Sequence, residues 1–525
     1  MIALKLIDCP SQSQSHFLPL QSNQARQSTD NKIICLFSLK APIKSLEPSV
    51  EENQEDFSIS QFIRFLRQIK LKKILSEISD ARNQNKIKYD NDILLQWALS
   101  AFFFRRGSKN SLQTALDSLK PHQRVAILNY LGLTNDTLPH RTSVDDYLSK
   151  INPDEINDLL VVLFRWAKRK KIFYNHAGNL LPGNRFYLAC DGVWVHKYEK
   201  PHCVDAEGNN TCPYCLPRTH NKGKENEKTY WIHAFVNLAL IFPGGLQLPM
   251  YVHALKAVQM QLDPSASAEK LKQECELQAA HEIFPKIKER LGNLPITLLT
   301  DSLYANEPVI QLCEQLGWEY LIVRQEGSLK TLCRTCDSLA ATELYQKSYR
   351  AQRFIKLKNG GTVEQDVQWF NHVTLGKVSY TNILRFEEVE KNAKAEVIRK
   401  FKTEWLASTG IHKGNCFILA ERGRMRADHE DLHNTMKNRG FAAKHDYARA
   451  NANSWLIWKL LMFVAFWIFE LFSCTALAQA SKGSRSWMDF AKDLFSVLIH
   501  VPWEQIALAP SLKRDKIQFR LEFKT

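Results

Sequence analysis

The chain has 525 residues, 45% of them hydrophobic and 24% charged, a globular composition long enough for two or three domains that each bury a core. This excludes a wholly disordered chain. Seventy Lys and Arg against 55 Asp and Glu leave a formal charge of +15, which favours a polyanionic partner, nucleic acid first, although charge alone is compatible with binding nothing anionic.

Residues 1–56 are rich in Gln, Ser and Asn, lack sustained periodicity and end in the acidic run "EPSVEENQED", the pattern of a loosely ordered leader. The opening "MIALKLIDCPSQSQ" lacks the charged start and long apolar core of a secretory signal, so a cytoplasmic location is expected. There, the 12 cysteines are expected to be reduced thiols or metal ligands rather than disulfides. Over residues 57–175 the pattern is helical. "ISQFIRFLRQIKLKKILSEI" spaces apolar positions at three and four and carries Arg64, Arg67, Lys70, Lys72 and Lys73 on its other faces. "TSVDDYLSKINPDEINDLLVVLFRWAKRKK" ends in five basic residues between Arg165 and Lys171. Short helices with basic faces predict a DNA-binding domain; the plain alternative is a solvated charged face.

From residue 185 strands take over. "RFYLACDGVWVHK" is a strand carrying Asp191, and "YWIHAFVNLALIFPGGLQLPMYVHAL" reads as two more joined at a Pro-Gly-Gly turn. A long amphipathic helix follows, with a break expected at Pro285. "LPITLLTDSLYAN" is a buried strand ending at Asp301, "PVIQLCEQLG" a helix and "WEYLIVRQ" a strand. Residues 326–420 contribute strand-like pieces, residues 421–480 a helix around Glu430 and a long apolar run, and residues 481–525 a C-terminal extension without a functional signal. The apolar run "WLIWKLLMFVAFWIFELF" is about as long as a bilayer is thick, but Lys459 and Glu470 interrupt it, so a buried core helix is expected and no membrane.

In "RMRADHEDLHNTMKNRGF" the positions of Arg426, Glu430, His433, Asn434 and Lys437 fall on one side of a helix. Alone, this could be a surface ion-pair ladder worth a few tenths of a kcal/mol per pair. Asp191 inside the first strand and Asp301 at the end of the fourth change that reading, because a sheet needs no carboxylate at either place. If central strands bring the two acids to one edge and the helix adds Glu430, the three repel unless a cation sits between them, which suits Mg²⁺ or Mn²⁺. Two such ions serve phosphodiester chemistry, with Arg426 and Lys437 holding substrate phosphates.

These residues resemble a known family, the transposases of the DDE type, in the branch of bacterial insertion sequences that includes insertion sequence four. That branch has a third-acid signature of Tyr, two residues, Arg, three residues, Glu, six residues, Lys. Arg426, Glu430 and Lys437 fit it, with Gly423 at the Tyr position. "DSLY" fits the Asp-x-x-aromatic pattern around a second acid, through Tyr304. The likeness runs from about residue 185 to 472. It implies an α/β, ribonuclease-H-like mixed sheet flanked by helices, with an N-terminal helical domain, a first core part at 185–325, a strand-rich insertion at 326–420 and a second core part at 421–480. It further implies catalytic Asp191, Asp301 and Glu430 holding Mg²⁺ or Mn²⁺, DNA contacts from Arg426, Asn434, Lys437 and Tyr304, and cleavage and strand transfer of a mobile element's ends at the bacterial nucleoid. Synapsis of two ends implies at least a homodimer on its DNA. The rival reading is a domesticated or decayed relative that binds DNA without cutting it.

Within the loop 202–233, Cys212 and Cys215 form a C-x-x-C knuckle that Cys203 and His220 complete to a four-ligand set for a structural Zn²⁺. His202 and His233 are rival ligands. Cys333 and Cys336 in "CRTC" could join Cys212 and Cys215 instead, and four unmetallated side chains in a polar loop are the plain alternative.

Overall fold

Ten strands join in a single mixed sheet in the computed structural model: β1 Phe186–Tyr198, β2 Leu216–His220, β3 Lys228–Ile241, β4 Gln247–Ala254, β5 Ile296–Thr300, β6 Glu319–Arg324, β7 Arg350–Lys356, β8 Thr362–Leu375, β9 Ser379–Lys391 and β10 Val397–Ala407. The structure describes residues 57–174, 182–221, 223–256, 268–376, 379–448, 451–513 and 517–519, so the leader expected at 1–56 lies outside the described residues. The strand order is β2-β3-β1-β5-β6-β10-β9-β8-β7, with β4 also paired to β3 beyond β2. β1, β5 and β6 run parallel, and every other pairing is antiparallel. β4, β5 and the first five residues of β1 are buried throughout, which accounts for their unbroken apolar runs.

The turn from β3 to β4 is the expected Pro-Gly-Gly, with Gly244 and Gly245 at φ 92° and 81°, where a side chain would be strained. β2 is not legible in the sequence: five residues within a polar loop carry too short a pattern. The break expected at Pro285 does not occur, and the helix Ala268–Leu291 runs through it. Its buried face, Ala279, Ala280, Ile283, Phe284 and Ile287, is fixed by packing, which outweighs the one backbone donor that proline removes.

Residues 326–420 do not form a separate body. β10 pairs with β6, Trp405 opposite Val323, so β7–β10 lengthen the same sheet, and two helices, Lys330–Ala340 and Glu343–Ser348, precede them. The helices of residues 57–174 do not stand apart as a domain either. Phe62 of the helix Ser58–Gln68 meets Phe103 and Phe472 at ring distances of 5.1 and 5.0 Å, and Asn157 exchanges hydrogen bonds with the backbone of Val252 in β4. Amphipathic periodicity shows that a face is buried and not what buries it. From the other end of the chain, Ser511 shares a hydrogen bond with Ser60.

The apolar run is the helix Ala452–Ser473, among the described residues the one helix long and apolar enough to cross a membrane, with a mean hydropathy of 1.8. It packs against β4 and the helices Asn91–Phe103 and Pro153–Arg169, and 89% of its most apolar stretch is buried within the protein. Lys459 donates to the carbonyls of Ala443 and His445 at 2.8 and 2.7 Å, and burial pulls its pKa down to about 7.

Candidate active site and a cysteine–histidine cluster

The parallel register of β1 and β5 pairs Ala189 with Leu299. Carried two residues further at the same offset, it sets Asp191 beside Asp301, on neighbouring strands about 4.8 Å apart. Asp191 lies where β1 passes from buried to half-buried, and Asp301 caps the turn after β5 by accepting from the backbone N–H of Leu303 at 3.0 Å. Two acids distant in the chain therefore meet at one end of the sheet's parallel centre.

The third acid arrives on the helix Asp428–Asn438, preceded by a tight turn over Met425–Ala427 that touches β5. His429 anchors this helix: fully buried, it lies 3.4 Å from the side-chain amide of Asn237 in β3. Its neighbour Glu430 consequently faces the rim. Arg426 joins the site together, its Nη1 donating to Glu430 at 2.9 Å and its Nη2 to Asp191 at 3.3 Å. The Asp191 side chain is 21% exposed and that of Glu430 59%, so one acid is fixed and the other free to adjust. Burial pushes the Asp191 carboxyl up, Arg426 pulls it down, and the charges of Asp301 and Glu430 push it up again.

Three carboxylates with one guanidinium among them leave a surplus of negative charge and of hard oxygen donors, the donor set that suits Mg²⁺ or Mn²⁺. Their oxygens do not already converge, since Arg426 stands between Asp191 and Glu430. Among the described residues, the groups of potential ligands lying within 4.8 Å of one another consist of cysteine and histidine.

Of the residues expected to face DNA, Asn434 is exposed and Lys437 half-buried on the same helix as Glu430. Two expectations are corrected. Tyr304 is fully buried, with its hydroxyl 3.5 Å from the Cys190 sulfur, because the turn after Asp301 folds its ring beneath the sheet end; it has no surface to offer a nucleic acid. His433 points inward with His429, their rings 5.2 Å apart, and burial pulls its pKa down to about 3.

Two residues at the site escape the sequence reading. A Cβ on Gly192 would lie 2.1 Å from the Glu276 carboxylate, so a side chain at the residue after Asp191 would have to displace that carboxylate. Glu276 is 4% exposed, and its charge acts on Cys190 and Tyr304 together with that of Asp301. A signal is present: Glu276 lies four residues before Ala280 and seven before Ile283, a carboxylate on the apolar stripe of its helix. The other is Trp405. A Cβ on Gly423 would lie 2.5 Å from its indole, so the position where the resembled signature has Tyr is closed by an aromatic ring from β10.

The loop after β1 gathers a second group. Cys203, Cys212 and Cys215 are all buried. His202 Nδ1 lies 3.0 Å from the Cys203 sulfur, and His233 Nε2 lies 3.4 and 3.1 Å from those of Cys212 and Cys215. His220, expected as the fourth ligand, sits at the far end of β2 opposite Lys228, and its side chain lies outside the described residues. Neither compact ligand group includes Cys333 or Cys336; these belong to the helix Lys330–Ala340, where Cys333 receives a hydrogen bond from Arg324.

The two basic segments of the first helices converge. Arg67, Lys70 and Lys73 line one groove of about 700 Å³ together with Arg169 and Lys170, beside Ile69, Trp166 and the acid Glu77. This collects cations from stretches about a hundred residues apart into one surface.

No family model and no curated protein sequence matches this chain. Among solved structures it is similar to a piggyBac transposase, seen by cryo-EM in a synaptic complex with hairpin DNA. That match has 9% sequence identity and a TM-score of 0.36, and covers 86% of this chain and 83% of the other.

Proposed function

We propose that the protein is a DDE-type transposase with a ribonuclease-H-like core, which cleaves the ends of a mobile DNA element and joins them to target DNA. This reading is supported by the β1–β5 register, which, carried two residues past its last pair, brings Asp191 level with Asp301, whose charge acts on it, while Arg426 ties Asp191 to Glu430. A divalent ion held by Asp191, Asp301 and Glu430 would supply Lewis-acid activation of the attacking oxygen and charge neutralisation at the leaving one. The chain's own residues do the rest. Asp191 and Asp301, set in the sheet, fix the geometry. Glu430, exposed on its helix, closes the site against the substrate. Arg426 keeps the acids from driving one another apart, and Asn434 and Lys437 lie one and two turns beyond Glu430, where the phosphates flanking the scissile bond can be held.

The decisive experiment incubates the purified full chain with the borders of its own gene as labelled duplex, with Mg²⁺, Mn²⁺ or EDTA. Nicking at the border with either ion and none with EDTA is expected. Tight border binding without nicking in any ion would move the protein to the rival class of DNA binders that do not cut.

The groove makes a separate prediction. Neutralising Arg67, Lys73 and Lys170 together should weaken duplex binding and make the plot of log affinity against log salt shallower by about 2 to 3 units, near 0.9 for each phosphate that the protein no longer neutralises. Fluorescence anisotropy across a salt series measures it, and an unchanged slope would place the DNA elsewhere on the surface.

A further inference from the structure

The cysteine–histidine cluster plays no part in the reading of the acids and stands independently of it. We propose that Cys203, Cys212, Cys215 and His233 bind one structural zinc ion, with His202 and Asp446 as its supporting pair. Three sulfurs and an imidazole are the mixed donor set of closed tetrahedral zinc sites. Cys212 is the hub: it belongs to both compact ligand groups, one with His202 and Cys203 and the other with Cys215 and His233. His233 belongs to β3, fully buried, with its ring against Trp455 at 4.1 Å, so its Nε2 is held toward Cys212 and Cys215 by the sheet itself.

His202 occupies the supporting place. Its backbone N–H donates to the Cys215 sulfur at 3.2 Å, its Nδ1 meets Cys203, and its Nε2 lies 3.4 Å from Asp446. Such interactions orient ligands and hold thiolate charge in known metal centres. All four ligand side chains are buried, which leaves no open position for substrate and makes the role structural.

The surroundings give a metal a structural role. Between β1 and β2 the chain has turns and one isolated bridge, Val204 with Asn210, and its sequence "DAEGNNT" offers little apolar surface to bury. The buried part of the loop, Cys203, Cys212, Tyr214 and Cys215, gathers the ligands themselves, and ligation would fix a loop whose tip is otherwise held by hydrogen bonds such as Asn209 to Asp205. The clip also reaches the catalytic half of the molecule, because Asp446 lies in the segment joining the helix of Glu430 to the buried helix Ala452–Ser473.

The test is metal analysis of the full chain, expressed with zinc in the medium and passed through a chelating column. About one zinc per chain is expected, released in step with thiol modification by a mercurial. The double variant Cys212→Ser/Cys215→Ser should lose the zinc and several degrees of Tm. Should it fail to fold, Co²⁺ substitution of the wild-type protein gives the same information, with thiolate-to-cobalt charge-transfer bands and tetrahedral d–d intensity expected. His233→Asn should empty the site, while His202→Asn keeps one zinc that a chelator strips more readily. Wild-type protein without zinc and without cobalt bands overturns the site, and loss of zinc in His202→Asn with retention in His233→Asn overturns this ligand set.

Discussion

Glu430→Gln should lower metal-dependent nicking of the border duplex by at least roughly 10³-fold, about 4 kcal/mol of barrier, with DNA affinity nearly unchanged. The substitution keeps the side chain's size and its ability to accept from Arg426 and removes the negative charge that a cation requires. Asp191→Asn and Asp301→Asn should behave alike, since the register makes them neighbours in one site. Asp431→Asn is the control. Asp431 is also exposed in the first turn of the same helix, about 100° around from Glu430, and should retain activity. A dead Asp431→Asn beside an active Glu430→Gln would mean that the register of this helix is misassigned.

Arg426→Ala separates positioning from ligation. Burial raises the Asp191 carboxyl, and Arg426 is the largest influence that lowers it, with the Gly192 backbone N–H beside it, against the charges of Asp301 and Glu430. Without it the Asp191 pKa rises further, so activity that needs the ionised acid is lost on acidification from a higher pH than in the wild type, the acid limb of the pH–rate profile moving upward. The rate at the new optimum should fall by roughly 10–100-fold, the scale of removing a supporting group rather than a ligand. An unshifted acid limb would separate Arg426 from the acids during turnover.

What can be read from the sequence depends on the range over which the physics acts. Asp191 and Asp301 stand out because one interrupts and the other directly follows a buried apolar run. The Glu430 helix is legible from residues spaced by four and seven, which fall on one side whatever the helix packs on. Its inner face is not: His433 groups with the outward residues because spacing alone cannot separate neighbours about 60° apart. Burial of His429 and His433 is decided by Asn237 and the strand of Cys190, far away in the chain. The cysteines are legible as ligands by type and spacing. Choosing between His220 and His233 depends on β2, which carries one of them away from the knuckle. Tyr304 shows the opposite error, since an aromatic beside an acid fits a motif equally well whether its ring points to solvent or to the core.

Gly423→Tyr, which installs the aromatic of the resembled signature, should unfold the protein rather than improve it. Glycine inside the helix Cys416–Arg424 costs about 1 kcal/mol against alanine, so on helix propensity alone any side chain would be an improvement. The obstacle is Trp405, 1% exposed and locked in β10 between β6 and β9, whose indole atoms lie 2.5 and 2.6 Å from where a Cβ would stand. A full ring there has no place to go, and a loss above about 4 kcal/mol is expected in urea denaturation. Gly423→Ala, with one carbon to accommodate and its better helix propensity in compensation, should lose about 1–3 kcal/mol. Trp405→Ala alone should cost about 3–5 kcal/mol through the cavity it leaves. The double variant Trp405→Ala/Gly423→Tyr should be more stable than the two losses together predict, by about 1–3 kcal/mol, because the new ring enters the space the old one vacated. Strictly additive losses would mean that the two positions do not touch in solution. Nicking adds a second measure. Gly423 lies three residues before Arg426, so even where the double variant folds, a shifted helix should leave Arg426 out of reach of Asp191 and the site weakened while the fold survives.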